Sequence, residues 1–116
     1  MFSLGSSHQY LLYRKPCDMR KSFDGLSGLV SQELKRNPTS GEVFLFLNKR
    51  RTQLKMLHWE NGGFVLYYKR LEKGTFSPPD TNQKVEISWP KLVLMIEGIR
   101  MQKYSQNTRY SIPKKE

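Results

Sequence analysis

Three short runs of apolar, aromatic and β-branched residues follow one another between residues 42 and 74, and they constrain the fold more than any other feature. Two turn-forming segments separate them, NKRR at 48–51 and ENGG at 60–63. Runs punctuated in this way are typical of antiparallel strands joined by hairpins. Asn-Gly is a strong hairpin signal because both central residues of a type I′ turn need a positive φ. The sequence therefore predicts a three-stranded meander over residues 42–73.

The two turns also predict the register of the meander. An Asn61-Gly62 turn pairs Trp59 with Phe64, Leu57 with Leu66, Lys55 with Tyr68, and Gln53 with Arg70. A first turn centred on Lys49 and Arg50 pairs Leu47 with Thr52, Leu45 with Leu54, and Phe44 with Lys55.

Because side chains on a strand alternate between the two faces of the sheet, this register assigns each residue to a face. The predicted core face carries Val43, Leu45, Leu47, Leu54, Met56, His58, Val65 and Tyr67. The opposite face mixes aromatic and basic residues: Phe44, Phe46, Gln53, Lys55, Leu57, Trp59, Phe64, Leu66, Tyr68 and Arg70.

The same register gathers positive charge at one end of the meander. We call this set the cationic rim, and it consists of Lys49, Arg50, Arg51, Lys69, Arg70 and Lys73. Glu42 and Glu60 mark the opposite end. A slip of one residue would exchange the faces but would leave this convergence in place.

The flanking segments predict further elements. Residues 8–15 are typical of a strand, and a helix is predicted over 18–36, with Asp18 at its start and Asn37-Pro38 at its end. A short strand over 84–87 and a second helix over 89–100 follow, with Ser88 as N-cap. We therefore expect a single α+β domain over 8–101, with a mainly antiparallel sheet packed by an N-terminal and a shorter C-terminal helix. Residues 102–116 form a basic tail that we expect to be flexible.

The charge balance points to polyanionic partners. The chain has 116 residues, and its 20 Lys and Arg against 10 Asp and Glu give a formal net charge of +10. Nucleic acid is the first expectation and an anionic membrane the second, since such a balance favours both. A single cysteine excludes an internal disulfide. With no secretory signal and no apolar run as long as a membrane span, we expect a cytoplasmic protein.

The sequence gives little indication of a set of catalytic residues. Strand transfer needs two or three carboxylates that converge on metal ions, yet Asp18 and Asp24 point to different sides of the predicted helix, and Glu60 and Glu72 lie at opposite ends of the meander. Cys17 would need a base, and only His8 and His58 exist. We expect no metal, no cofactor and no enzymatic activity.

Two binding functions remain. In the first, the cationic rim and Lys55 contact DNA phosphates, while exposed aromatic residues stack on bases. Phe44, Phe46, Trp59 and Tyr68 are the candidates for stacking or partner contact, and the alternative for them is a core position under a helix. In the second, a protein–protein adaptor docks through the mixed face, because aromatic residues are enriched in interface centres.

One long motif resembles a known family. The segment PCDMRKSFDGL at 16–26 resembles the P-x-DMRKSFDGL signature of the transposition accessory protein (TnpB type) of the insertion sequence 66 family, and the agreement extends over about residues 10–100. Further matching positions include NKRR at 48–51, Trp59, and YKRLEKGTF at 68–76. The turn at 37–41 departs mildly from the family pattern, because this chain has Asn37 where family members often have Asp. The resemblance implies a bacterial mobile-element protein that assists a separate, larger transposase.

Overall fold

The computed structural model describes residues 4–79 and 85–97, which form five strands and two helices. In chain order they are β1 (Tyr10–Leu12), α1 (Phe23–Gln32), β2 (Val43–Leu47), β3 (Gln53–Glu60), β4 (Gly63–Arg70), β5 (Glu86–Ile87) and α2 (Trp89–Glu97). The strands make one sheet in the order β4-β3-β2-β1-β5. The predicted α+β class with a mainly antiparallel sheet is confirmed. The predicted tail at 102–116 lies outside the described residues, as do 80–84 and 98–101.

The first strand lies inside the sheet, parallel to β2, with Tyr10 opposite Val43 and Leu12 opposite Leu45. Parallel neighbours need a long crossover connection, and α1 lies within this one. On its other side β1 pairs antiparallel with β5. Because β2 pairs with β1 on one side and with β3 on the other, it is the central strand of the sheet. All five of its residues are buried, as expected of a strand covered on both faces.

Each face of the sheet is covered by a helix. On one face Leu92 and Met95 of α2 pack into a cluster with Tyr10, Leu45 and Met56. On the other face Leu26 and Val30 of α1 pack with Leu11, Phe44, Phe46 and Leu57. The sheet therefore has core residues on both faces. The aromatic residues at the centre of the second face are core residues under α1.

The second hairpin has the predicted register. Trp59 lies opposite Phe64, and the pairing continues in step to Gln53 opposite Arg70. Asn61 has φ 50° and Gly62 has φ 82°, as a type I′ turn requires.

The first hairpin differs from the prediction by two residues. Leu47 pairs with Leu54 rather than Thr52, and Phe44 pairs with Leu57 rather than Lys55. The cause is the Asn48 side chain, whose Oδ1 accepts hydrogen bonds from the backbone N–H groups of Thr52 (2.8 Å) and Gln53 (3.0 Å). These bonds close a longer loop in which Arg51 has φ 59°. A shift of two residues preserves the assignment of side chains to faces.

The first helix is shorter than predicted at both ends. Asp18 does not cap it; its carboxylate instead accepts hydrogen bonds from the Arg20 backbone N–H and guanidinium. The Lys55 ammonium donates to the carbonyl oxygens of Met19 (2.8 Å) and Lys21 (2.6 Å). The segment that binds Lys55 therefore lies just before the helix, which begins at Phe23.

The second helix begins where the sequence predicts. The backbone N–H of Lys91 donates to Ser88 Oγ at 3.4 Å, and that of Leu92 donates to the Ser88 carbonyl at 2.9 Å. Ser88 therefore lies at the N-terminus of α2, as expected.

Replacing Lys55 by Met should lower the free energy of unfolding by about 2–3 kcal/mol. Lys55 is only 5% exposed, and hydrogen bonds from a charged donor contribute about 1.5–3 kcal/mol each, part of which Met recovers through apolar packing. Urea unfolding measures the change. The exposed Lys49→Met variant is the matched control and should stay within about 0.5 kcal/mol of wild type; equal effects of the two changes would contradict the structural role of Lys55.

Candidate nucleic-acid interface

The β2–β3 loop and the segment that follows β4 lie side by side. The backbone N–H of Leu71 donates to the Thr52 carbonyl at 2.8 Å, and that of Phe76 donates to the Arg51 carbonyl at 2.7 Å. These bonds bring together five exposed cations of the cationic rim: Lys49, Arg50, Arg51, Arg70 and Lys73. The predicted proximity of the two segments is therefore observed.

Few carboxylates neutralise this end of the sheet. Arg70 pairs with Glu72 at 3.0 Å, with both side chains largely exposed. Within the described part of the chain, the remaining exposed members of the cationic rim make no ion pair. At the opposite end, Glu42 and Glu86 both pair with Arg36, at 3.3 Å and 3.5 Å. The charge is thus distributed unevenly along the strands.

Two of the predicted binding lysines occupy other places. Lys69 directs its ammonium to the Ile96 carbonyl near the C-terminal end of α2, at 3.3 Å, where a cation is favoured. Lys55 is buried and binds backbone carbonyls. Neither ammonium is directed into the exposed part of the cationic rim, so neither lysine belongs to that exposed surface.

The four candidate aromatic residues are separated by the fold. Phe44 and Phe46 are fully buried under α1, as the alternative interpretation expected. Trp59 makes an edge contact with Phe64 at 5.0 Å, far from the rim. Tyr68 is 53% exposed, and its ring lies against the Lys55 ammonium, 4.7 Å from Nζ to the ring centroid. Tyr68 is therefore the candidate that combines exposure with proximity to Arg70.

The structure adds two cations that the sequence did not indicate. Arg14 and Lys15 follow β1, and a cavity of about 140 Å³ lies between them and the β2–β3 loop. We call it the basic cleft, and its wall includes Arg14, Lys15, Lys49 and Arg51. Since β1 and β2 are parallel, their C-terminal ends meet at one edge of the sheet. A parallel pair formed across a helix leaves no local signal in the sequence, so this convergence could not be predicted.

The comparisons with known proteins place the chain in a family. The model described as "IS66 Orf2 like protein" (TnpB_IS66) matches residues 8–106. The chain belongs to this IS66 Orf2-like family. Membership implies an accessory function associated with transposition, in agreement with the resemblance noted in the sequence.

Two relatives from Sinorhizobium fredii (strain NBRC 101917 / NGR234) show similarity over most of the chain. The uncharacterized protein y4jC is 33% identical over 86 residues, which cover 73% of this chain and 74% of the relative. The uncharacterized protein y4hO is 34% identical over 83 residues, which cover 71% and 72%. No solved structure matches the chain.

In this IS66 Orf2-like protein the possible nucleophile and bases lie at opposite ends of the sheet. The Cys17 backbone N–H donates to the Leu47 carbonyl, at the rim end, whereas His58 pairs with Val43 at the other end. Burial raises the pKa of the Cys17 thiol, which keeps it protonated and weakly nucleophilic. This placement provides no Cys–His pair for nucleophilic catalysis.

The two histidines lie close together. The ring of His8 lies 5.1 Å from that of His58, edge to face. His58 Nε2 lies 3.3 Å from Glu60. Among residues 4–79 and 85–97, no group of three or more metal-ligating side chains of the His, Cys, Asp and Glu types could hold an ion.

One carboxyl group near the start of α1 has a strongly shifted pKa. Hydrogen bonds from the Arg20 side chain and backbone lower the pKa of Asp18 to about 2. Asp18 therefore stays ionised at neutral pH and its charge remains matched by Arg20.

In the described segments, no helix is both long enough and apolar enough to cross a membrane.

Replacing Tyr68 by Ala should weaken binding of single-stranded DNA by about 1–3 kcal/mol, the usual contribution of one base stacked on an aromatic ring. The salt dependence of duplex binding should stay unchanged, because no cation is removed. Fluorescence anisotropy with labelled single strands measures the effect. Tyr68→Phe is the control that keeps the ring and should bind like wild type; equal losses in both variants would contradict stacking.

Proposed function

We propose that this protein is a non-catalytic accessory factor for transposition that binds DNA through the exposed part of the cationic rim and assists a separate transposase. The observation that carries the proposal is the adjacency of the β2–β3 loop and the segment after β4, which collects Lys49, Arg50, Arg51, Arg70 and Lys73 at one end of the sheet. Exposed Lys and Arg neutralise phosphates and release counterions, which makes binding strong at low salt and sequence-independent.

The unequal distribution of charge supports binding in which the rim end of the sheet faces DNA. Glu42 and Glu86 lie at the other end of the sheet, so the rim end would face the phosphates and the acidic end would face away. The exposed Arg70–Glu72 pair is a weak obstacle, because exposed ion pairs contribute little and are screened by salt. A phosphate group would compete with Glu72 for Arg70.

The double variant Lys49→Gln/Arg50→Gln should bind duplex DNA more weakly and should reduce the slope of log K against log salt by about 1.8, since each phosphate contact adds about 0.9. The measurement is a salt series by anisotropy on element-end duplex, random duplex and single-stranded DNA. Lys35→Gln/Lys91→Gln removes the same charge away from the rim and is the matched control.

The control should leave the slope within the error of wild type. If both double variants reduce affinity equally, net charge and not the rim carries binding, and the proposed surface is wrong. If wild-type binding does not depend on salt, the electrostatic proposal itself fails.

A second candidate function is an adaptor that docks on the transposase without touching DNA. Trp59 and Phe64 are only partly buried and pack edge to face, and aromatic residues such as Trp are enriched in interface centres. The partner in this function is the transposase encoded by the same element.

Trp59→Ala should weaken co-purification with the transposase by at least tenfold, about 1.4 kcal/mol, if this pair is an interface centre. DNA binding measured on the isolated variant should remain at the wild-type level, because no cation changes. Tyr67→Phe, on the other face of β4, serves as the control. Unchanged co-purification would contradict the adaptor function.

A further inference from the structure

The basic cleft is a concave site lined by cations from separate parts of the chain. Arg14 and Lys15 come from the segment after β1, and Lys49 and Arg51 come from the β2–β3 loop. Its volume of about 140 Å³ has room for several water molecules, and therefore for an oxyanion of five heavy atoms. No carboxylate is part of its wall, as far as the described residues extend.

Backbone hydrogen bonds hold the two walls together. The backbone N–H of Tyr13 donates to the Leu45 carbonyl at 2.9 Å, and that of Cys17 donates to the Leu47 carbonyl at 2.8 Å. The segment that carries Arg14 and Lys15 is thus fixed to β2 on both sides of the two cations. The spacing between the walls is set by the sheet and not by the side chains.

The loop wall is also fixed before any ligand arrives. The Asn48 amide accepts hydrogen bonds from two backbone N–H groups and donates to Thr52 Oγ1 at 3.1 Å. On the other wall, Arg14 Nη1 donates to the Pro79 carbonyl at 3.0 Å, which orients the guanidinium. A site whose donors are already placed loses less conformational entropy when it binds.

A carboxylate outside the wall competes with a ligand for Lys15. Lys15 Nζ lies 3.3 Å from Glu33 Oε1, and both side chains are exposed. Tyr13 also lines the cleft, and burial, followed by the charge of Glu33, raises the pKa of its phenol. The Tyr13 hydroxyl therefore stays protonated at neutral pH and can donate a hydrogen bond.

We propose that the basic cleft binds one phosphate group of DNA, held between Arg14 and Lys15 on one wall and Lys49 and Arg51 on the other. This inference rests on the proposed function and deepens it, because it assigns one defined phosphate contact to two residues outside the predicted rim, Arg14 and Lys15, acting together with two residues of the rim. Arg supplies paired donors that match phosphate geometry, and Lys adds compact positive charge. The phosphate is either an internal diester or a terminal monoester.

The first experiment compares Arg14→Gln/Lys15→Gln with the matched control Lys35→Gln/Lys91→Gln in the anisotropy salt series. Loss of one phosphate contact should reduce the salt slope by about 0.9, whereas the control should leave it unchanged. Glu33→Gln should strengthen DNA binding, because it releases Lys15 from its carboxylate partner. Circular dichroism confirms that each variant is folded, and Lys15→Gln alone, an exposed change, replaces the double variant if Arg14 is needed for folding.

The second experiment titrates inorganic phosphate into the wild-type protein and follows backbone amide shifts by NMR. We expect saturable shifts at Lys15, Asn48, Lys49 and Arg51 that disappear in Arg14→Gln/Lys15→Gln. Absence of these shifts in wild type would overturn the site. If phosphate binds in the cleft but wild type does not bind DNA, the site stands and the proposed function fails; if DNA binds with an unchanged slope in the cleft variant, the inference fails alone.

A comparison of duplexes with 5′-phosphate and 5′-hydroxyl ends identifies the source of the phosphate. For a terminal monoester, wild type should prefer the phosphorylated end and the cleft variant should not. For an internal diester, end chemistry should not change either affinity. This comparison distinguishes a terminal from an internal phosphate, whereas the salt slope and the phosphate titration decide whether the cleft binds phosphate at all.

Discussion

Parallel pairing between β1 and β2 is the constraint on which the rest of the structure depends. It places a three-residue strand between β2 and β5, next to the meander. Because the neighbours are parallel, the chain must cross one face of the sheet between them, and α1 covers that face as it does so. The same pairing brings the segment after β1 to the edge where the β2–β3 loop begins.

Burial on both faces makes Lys55 an internal cation that must be compensated. An ammonium removed from water is costly unless it finds hydrogen-bond partners. Here the carbonyls of Met19 and Lys21 accept from it, and the Tyr68 ring lies against it. The segment before α1 therefore supplies acceptors instead of a further helical turn. A residue expected to contact DNA serves instead to hold that segment on the sheet.

The position of the proposed DNA-binding surface follows from the direction of the strands. β1, β2 and β4 all end at one edge of the sheet, and each is followed by or ends in basic residues. The acidic residues Glu42 and Glu86 lie at the other edge. A sheet built this way separates charge along its strands, which is the property that an accessory protein of a DNA-mobilising element can use to orient on a polyanion.

The sequence alone determined the features that depend on neighbours along the chain. Asn61-Gly62 specified the second hairpin and its register, because its geometry depends on two consecutive residues with positive φ. Helical spacing located α1 and α2, and the motif at 16–26 pointed to the family. The predicted register of the first hairpin was wrong by two residues, because the Asn48 side chain accepts hydrogen bonds from the loop backbone. Residue propensities do not encode this interaction.

Tertiary structure decided the rest, because those contacts join distant residues. Lys55 Nζ reaches Met19, 36 positions away, and this contact holds the segment before α1 against the sheet. Arg14 and Lys15 meet Lys49 and Arg51 only because β1 inserts parallel to β2. The charge composition is a property of the sequence alone, and it implied a polyanionic partner. The place where a single phosphate could be held depends on strand order, which no local pattern contains.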